Sequence, residues 1–265
     1  MKLFFSNLKK YKGYLTYAPV SILKTEVSST YLNWLWWFLD PLFFMLIYTF
    51  VAGFIFNQKI EYFPMFVFVG LNTWNLFDHS VRRGVVMMKS YRGIVTKTYV
   101  PKYIFMIVQM AVENIKCAIA YLLLVGMMII YKVPPTWHII ECIPLFIVLN
   151  IITFAASTIM LHLGVYFSDM AKLVNVFLRL TFYLTGVFYS IGANKRLSKE
   201  HPFVQTMLLK VNPVACLMDG LRNCILYGKS PDWLWVGIWT ALGLLFCALG
   251  IHLIHRYEAG YAKIS

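Results

Sequence analysis

Charge is scarce in this chain of 265 residues: 13% of them are charged, and 11 are acidic against 24 basic. A soluble globular domain carries about 25% charged residues, so a surface that faces water on all sides is excluded. Cysteine is almost as thin. Cys117, Cys142, Cys216, Cys224 and Cys247 form no CxxC pair, which removes zinc-ribbon and thioredoxin-like motifs. All five read as small hydrophobes in apolar surroundings, and a disulfide comes into question only for Cys216 with Cys224. His79, His138, His162, His201, His252 and His255 show no HExxH or other metal spacing, so no metal site is expected. The "GKS" at Gly228–Ser230 lacks the glycine that a phosphate-binding loop needs at the place of Asn223, and no strand precedes it. ATP is therefore not expected to bind through such a loop here. The N-terminal "MKLFFSNLKKYKGYLTYAPV" has neither the apolar core nor the cleavage site of a removable signal peptide. No internal repeat is seen, which leaves an inverted-repeat secondary transporter without direct support.

What the chain does have is apolar length. Hydrophobic residues make up 60% of it, and the mean hydropathy is +0.68. Crossing a bilayer takes about 20 apolar residues in a helix, and the pattern predicts an all-α integral membrane protein with spans at about 32–56, 62–78, 103–131, 137–167, 173–191 and 233–254. The net charge of +13 sits largely in two clusters, 2–24 and 82–102, each beside a hydrophobic span. That distribution fits the positive-inside rule and contact with anionic lipid rather than nucleic acid. Counted this way, both termini are cytoplasmic: Lys2, Lys9, Lys10, Lys12, Lys24, Arg82, Arg83, Lys89, Arg92, Lys97, Lys102, Lys172, Arg256 and Lys263 fall inside, while the short outer loops hold Lys59 and Lys132.

Two segments depart from simple spans. Residues 1–31 read as amphipathic and interfacial, with Leu8, Tyr11 and Leu15 on one face, Lys9, Lys10 and Lys12 on the other, and a second helix after Pro19. The outer connection 192–232 carries six basic residues against the charge rule. Its "SKEHPFVQTMLLKV" and "NPVACLMDGLRNCILYG" are helical patterns too short to span. Asn212 is placed to cap and Pro213 to open the second, with Gly228 to stop it. They either dip into the membrane and return or lie on its outer surface.

Charges at membrane depth cost a few kcal/mol each, which singles out Asp40, Glu113, Lys116, Glu141 and Arg179. Glu113 and Lys116, three apart, share a helix face. These charges either pair between helices or, for Arg179 with Lys116, meet an anionic substrate group such as a pyrophosphate. Aromatic rings crowd the first and fifth spans, among them Trp37, Phe43, Phe44, Tyr48, Phe177, Phe182, Tyr183 and Phe188. Ring faces stack on sugar rings, so a conduit so lined could pass a glycan; the competing reading is plain packing.

Several segments together resemble the ABC type-2 permeases that export lipid-linked polysaccharides, such as the O-antigen, capsule and teichoic-acid exporters. The first is "LNWLWWFLDPL", where Leu32, Leu35, Trp36, Leu39, Pro41 and Leu42 fit the family's approach to its first span, Asn33 replaces a glycine, and the basic residues usual upstream are thinned to Lys24. In "GVVMMKSYRGIVTKTYVPKYIF", Lys97, Tyr99 and Pro101 fit, and a third match is Asn212, Pro213 and Arg222 before the last span. The resemblance implies half of a transporter in the bacterial cytoplasmic membrane. Two copies would pair with two copies of an ATP-binding subunit that holds ATP and Mg, and this chain would hold no cofactor and catalyse nothing. It implies a coupling helix near 84–95 with Gly84, Lys89, Tyr91, Arg92 and Gly93, and re-entrant gate helices near 198–228. Other readings are a type-2 exporter of drugs or lipids, a secondary transporter, and a membrane-embedded glycan transferase.

Overall fold

Within lipid every backbone N–H and C=O must be satisfied inside its own segment, so apolar runs of this kind close into helices. The computed structural model describes residues 2–28, 33–51, 60–95, 99–192 and 199–264, and no strand occurs among them. Its helices are α1 (Lys2–Lys10), α2 (Lys12–Ser28), α3 (Trp36–Phe50), α4 (Phe63–Ser90), α5 (Arg92–Val95), α6 (Lys102–Ile130), α7 (Cys142–Tyr166), α8 (Met170–Leu184), α9 (Pro202–Thr206), α10 (Pro213–Leu226) and α11 (Trp233–Ile264). Three stretches are long and apolar enough to cross a membrane: Lys102–Ile130, Trp137–Tyr166 and Trp233–Glu258. Trp36–Phe50 is apolar but shorter.

Helix α4 is the axis of the bundle. Met65 through Trp74 are buried on every side, and the helix touches α3, α6, α7, α8 and α10. Small residues let its far half approach α7 closely. A Cβ on Gly84 would lie 2.7 Å from the Ser157 carbonyl oxygen, and one on Gly164 would collide with that of Val85. The α7–α11 seam repeats the device at Gly243, where a Cβ would sit 2.9 Å from an Ile151 methyl. Such contacts take the place of hydrophobic collapse, which has no force between helices in lipid.

The bundle has two unlike ends. At one, Asn7 of α1 donates to Tyr103 Oη (2.8 Å), Tyr11 Oη to the Tyr99 carbonyl (3.1 Å) and Tyr99 Oη to Glu258 (2.6 Å). At the other, Tyr227 Oη reaches the Glu61 carbonyl (3.3 Å), Ser230 reaches Glu141 (3.0 Å) and Lys210 pairs with Asp232 (3.0 Å).

Several boundaries differ from the sequence reading. The second span, expected over 62–78, is a helix to Ser90, in which Arg82 and Arg83 pair with the carboxylates of Asp78 and Glu26. The coupling helix expected over 84–95 divides accordingly: 84–90 are the last turns of α4, and the separate helix is the single turn Arg92–Val95. The fifth span, expected over 173–191, is helical only over Met170–Leu184; Gly186 at φ +73° turns the chain. In the N-terminal segment the break falls at Tyr11, and α2 runs through Pro19. Leu32, residues 52–56 of the first span with Phe54, Lys59, Lys97 and residues 193–198 lie outside the described residues. So do the side chains of Lys2, Asn33 and Lys263.

Candidate functional site

Between α3, α4 and α8 lies a cavity of about 490 Å³. Phe44 and Tyr48 come from α3, Trp74, Asp78, His79 and Arg82 from α4, and Arg179, Phe182 and Tyr183 from α8. The rings form a continuous path: Tyr48 stacks on Phe188 at 3.7 Å, Phe188 meets Phe182 edge-on at 5.2 Å, and Phe182 lies 5.7 Å from Trp74. Arg82 holds Asp78 by two hydrogen bonds, 2.6 and 2.8 Å, and also donates to Asn175 of α8. That three-residue bridge fixes α8 against α4 and neutralises Asp78. Arg179 is exposed on the open side.

The structure therefore brings together Phe44, Tyr48, Phe182, Tyr183 and Arg179 of the predicted conduit, with Phe188 behind them. Phe43 and Phe177 are exposed outside the cavity lining. Trp37 lines a neighbouring cavity of about 170 Å³ on the other side of α3, which shares Asp40, Pro41, Asn75 and His79 with the first. Pro41 is thus a buried wall between two cavities, and Asp40 is exposed at the mouth of both. Trp74, Asp78, His79 and Arg82 were missed from sequence. The signal was available: a tryptophan, an aspartate, a histidine and an arginine at helical spacing share one face of α4.

Lys116 lies in the second cavity, apart from Arg179. It pairs with Glu26 of α2 at 2.7 Å and with Glu113 at 3.9 Å. Glu113, 4% exposed, also meets His79 (3.3 Å), Gln109 (3.2 Å) and Arg83 (3.7 Å), and Arg83 returns to Glu26 at 3.1 Å. The network ties α2, α4 and α6 together. Its carboxylates already pair with the Lys116 ammonium, and Lys116 and Arg179 line different cavities.

At the opposite end Asn212 and Arg222 lock α10. Asn212 Oδ1 accepts from the Val214 and Ala215 N–H groups (3.1 and 3.3 Å), capping the helix, while its Nδ2 donates to Thr185 Oγ1 (3.0 Å). Pro213 opens the helix, where no N–H is needed. Arg222, 3% exposed, donates to the carbonyls of Phe66 (3.1 Å), Gly186 (2.9 Å) and Val187 (2.8 Å), and its guanidinium lies 3.4 Å above the Phe66 ring. Gly70 leaves room for it; a Cβ there would collide with the guanidinium. The carbonyls freed where α8 unwinds are thus satisfied by an arginine from α10.

Of the residues assigned to coupling, Gly84 is buried against α7 and cannot face a partner, whereas Lys89, Arg92 and Gly93 are exposed at the tip between α4 and α6. Tyr91 packs its ring 4.8 Å from Phe105. Beside this tip the Glu258 carboxylate accepts the Tyr99 hydroxyl, which pushes the Tyr99 pKa up to about 12.

No family model matches the chain. Curated proteins do. It is 28% identical over 229 residues, 85% of each chain, to the O-antigen export system permease protein RfbA of Myxococcus xanthus. Two O-antigen export system permease proteins RfbA of Klebsiella pneumoniae match over 263 residues at 24% and 22%, covering 97% of this chain and 98% of theirs. The chain is a relative of export permeases. Such permeases are transport components rather than enzymes. The two longer matches cover 97% of this chain, so they take in α10 as well as the long apolar helices.

Proposed function

We propose that this chain is the membrane subunit of an ATP-driven exporter that moves a lipid-linked polysaccharide, such as an O-antigen, across the bacterial cytoplasmic membrane. The end-to-end similarity to O-antigen export permeases carries the reading. The cavity supports it, since it offers aromatic faces for sugar rings and Arg179 for an anionic group. α3 and α8 flank that cavity and leave Phe43, Ile47, Phe50, Phe177, Leu180 and Leu184 exposed. A second copy facing these helices would close the cavity into a conduit. In this reading α3, α4, α6, α7, α8 and α11 are the six spans, both termini are cytoplasmic, and Lys89, Arg92 and Gly93 meet an ATP-binding subunit. The α9–α10 hairpin then lies at the outer end.

Transport by the chain co-reconstituted with its co-purifying ATP-binding subunit tests the proposal. Movement of a lipid-linked glycan into vesicles that needs ATP is the expected result. Glycan movement driven by an ion gradient without the ATP-binding subunit would overturn it, and ATP-driven movement of drugs or lipids alone would assign a narrower substrate.

A further inference from the structure

Two cavities of the bundle are lined almost wholly by apolar side chains, and they differ in one residue. The larger, about 720 Å³ between α6 and α7, has no charged residue in its lining. The other, about 580 Å³, is walled by Leu124 and Met128 of α6, Phe146 of α7 and Ile225 of α10, and Lys132 is the one charged residue that lines it. No disulfide closes it: Cys142 in its wall is a free thiol, as are Cys216 and Cys224 on α10. From Tyr121 to Lys132, both in the lining, the chain rises about 16 Å at 1.5 Å per residue. That is about half of a 30 Å hydrocarbon core, so the groove is one leaflet deep. Tyr131 and Trp137 are exposed on either side of Lys132 in the chain and mark the level of the headgroups. Lys132 takes a left-handed backbone at φ +52°, the place after a helix that glycine ordinarily fills, with the Val133 N–H bound back to the Met128 carbonyl (3.0 Å). Lys210 pairs with Asp232, whereas Lys132 has no carboxylate partner among the described residues.

We infer that this groove binds a phospholipid with an anionic headgroup, one acyl chain lying between α6, α7 and α10 and the phosphate meeting Lys132. Val125 and Ile129 line the groove and are 54% and 74% exposed, so it opens toward the surrounding lipid. An acyl chain is the occupant that such a medium supplies, and the apolar walls hold any acyl chain alike. The headgroup is selected by Lys132. A single ammonium without a carboxylate matches the single net charge of a phosphatidylglycerol, whereas a pyrophosphate asks for more than one cation. Ile225 gives the site a consequence for the fold. Arg222 anchors α10 to α4 and to the turn after α8, and a bound chain packs its other side against α6 and α7. The binding depends neither on which leaflet this end faces nor on what the protein transports.

The full chain, purified in detergent with the subunits that accompany it, is titrated with dioleoylphosphatidylglycerol or dioleoylphosphatidylcholine, and bound lipids are counted by native mass spectrometry. The first phosphatidylglycerol is expected to bind about fivefold more tightly than the first phosphatidylcholine, the worth of one lysine at an anionic surface. Lys132→Gln, a change at an exposed turn, should erase that preference and Lys132→Arg should keep it. Val125→Trp fills the groove and should weaken the first site for both lipids. Equal affinity of the unaltered chain for the two lipids overturns the inference, as does a preference that survives Lys132→Gln or a first site untouched by Val125→Trp. Displacement of phosphatidylglycerol by millimolar inorganic phosphate would show an anion site without a lipid, and tighter binding of geranylgeranyl pyrophosphate would show a site for a prenyl carrier. Either result also overturns it.

Discussion

Helices α8 and α10 meet at the same turn, Thr185 to Val187, yet they are built in opposite ways. α10 is buried along most of its length, capped by Asn212 and pinned by a guanidinium to backbone on two other segments. α8 buries only Val174 and Leu178 and shows Leu173, Val176, Phe177, Leu180, Tyr183 and Leu184 outward. α10, 14 residues long, thus finds partners for its cap, its arginine and its apolar side chains within the chain. α8, of nearly the same length at 15 residues, leaves most of its apolar side chains exposed.

The largest effect is expected at Arg222. Arg222→Ala removes donors from three buried carbonyls, and Arg222→Lys cannot span the Gly186 and Val187 carbonyls together. A loss of about 3–5 kcal/mol should appear as a sharp fall in thermal stability in detergent; a normal melting profile for Arg222→Ala would break the contrast between the two helices. Gly164→Leu comes next. It drives a side chain into the Val85 backbone and should cost about 1–3 kcal/mol or more, read as reduced accumulation of folded protein. Glu113→Gln leaves Arg83 and Lys116 to share Glu26 as their carboxylate. It should destabilise by a smaller amount than Arg222→Ala, and adding Lys116→Met should recover part of the loss.

On α8 the order of effects reverses. Arg179→Ala should change stability by no more than about 0.5 kcal/mol while slowing export about tenfold, roughly the worth of one charge-assisted hydrogen bond. Equal losses of abundance and export would make Arg179 a packing residue. Among the rings, Tyr183→Leu is expected to act on export alone, whereas Phe182→Leu disturbs Trp74 and Phe188 and should lower both. Smallest of all is Tyr99→Phe: an exposed hydrogen bond to Glu258 is lost, and melting should shift by less than about 0.5 kcal/mol in equivalent stability with export unchanged.

The helical class, the three long apolar helices and the Asn212-Pro213 start of α10 could be read locally, because helix periodicity, caps and hydrophobic length act within a few turns of chain. The aromatic residues of α3 and α8 were likewise visible, although their names alone did not separate Tyr48 and Phe182, which line the cavity and both pack on Phe188, from Phe43 and Phe177, which are exposed outside it. The continuation of α4 past His79 was hidden, since a charge count stops a span where pairing with Glu26, Glu113 and Asn175 lets it proceed.

The sequence by itself determined that this chain lives in a membrane as helices, since neither its charge nor its apolar length permits another solvent. Tertiary structure alone decided the partners of the deep charges: Lys116 with Glu26 and Arg222 with backbone carbonyls. Hydrophobicity accumulates along a chain and can be summed from it. A hydrogen bond or ion pair depends on which face of which helix arrives opposite, and that is fixed only when the bundle closes.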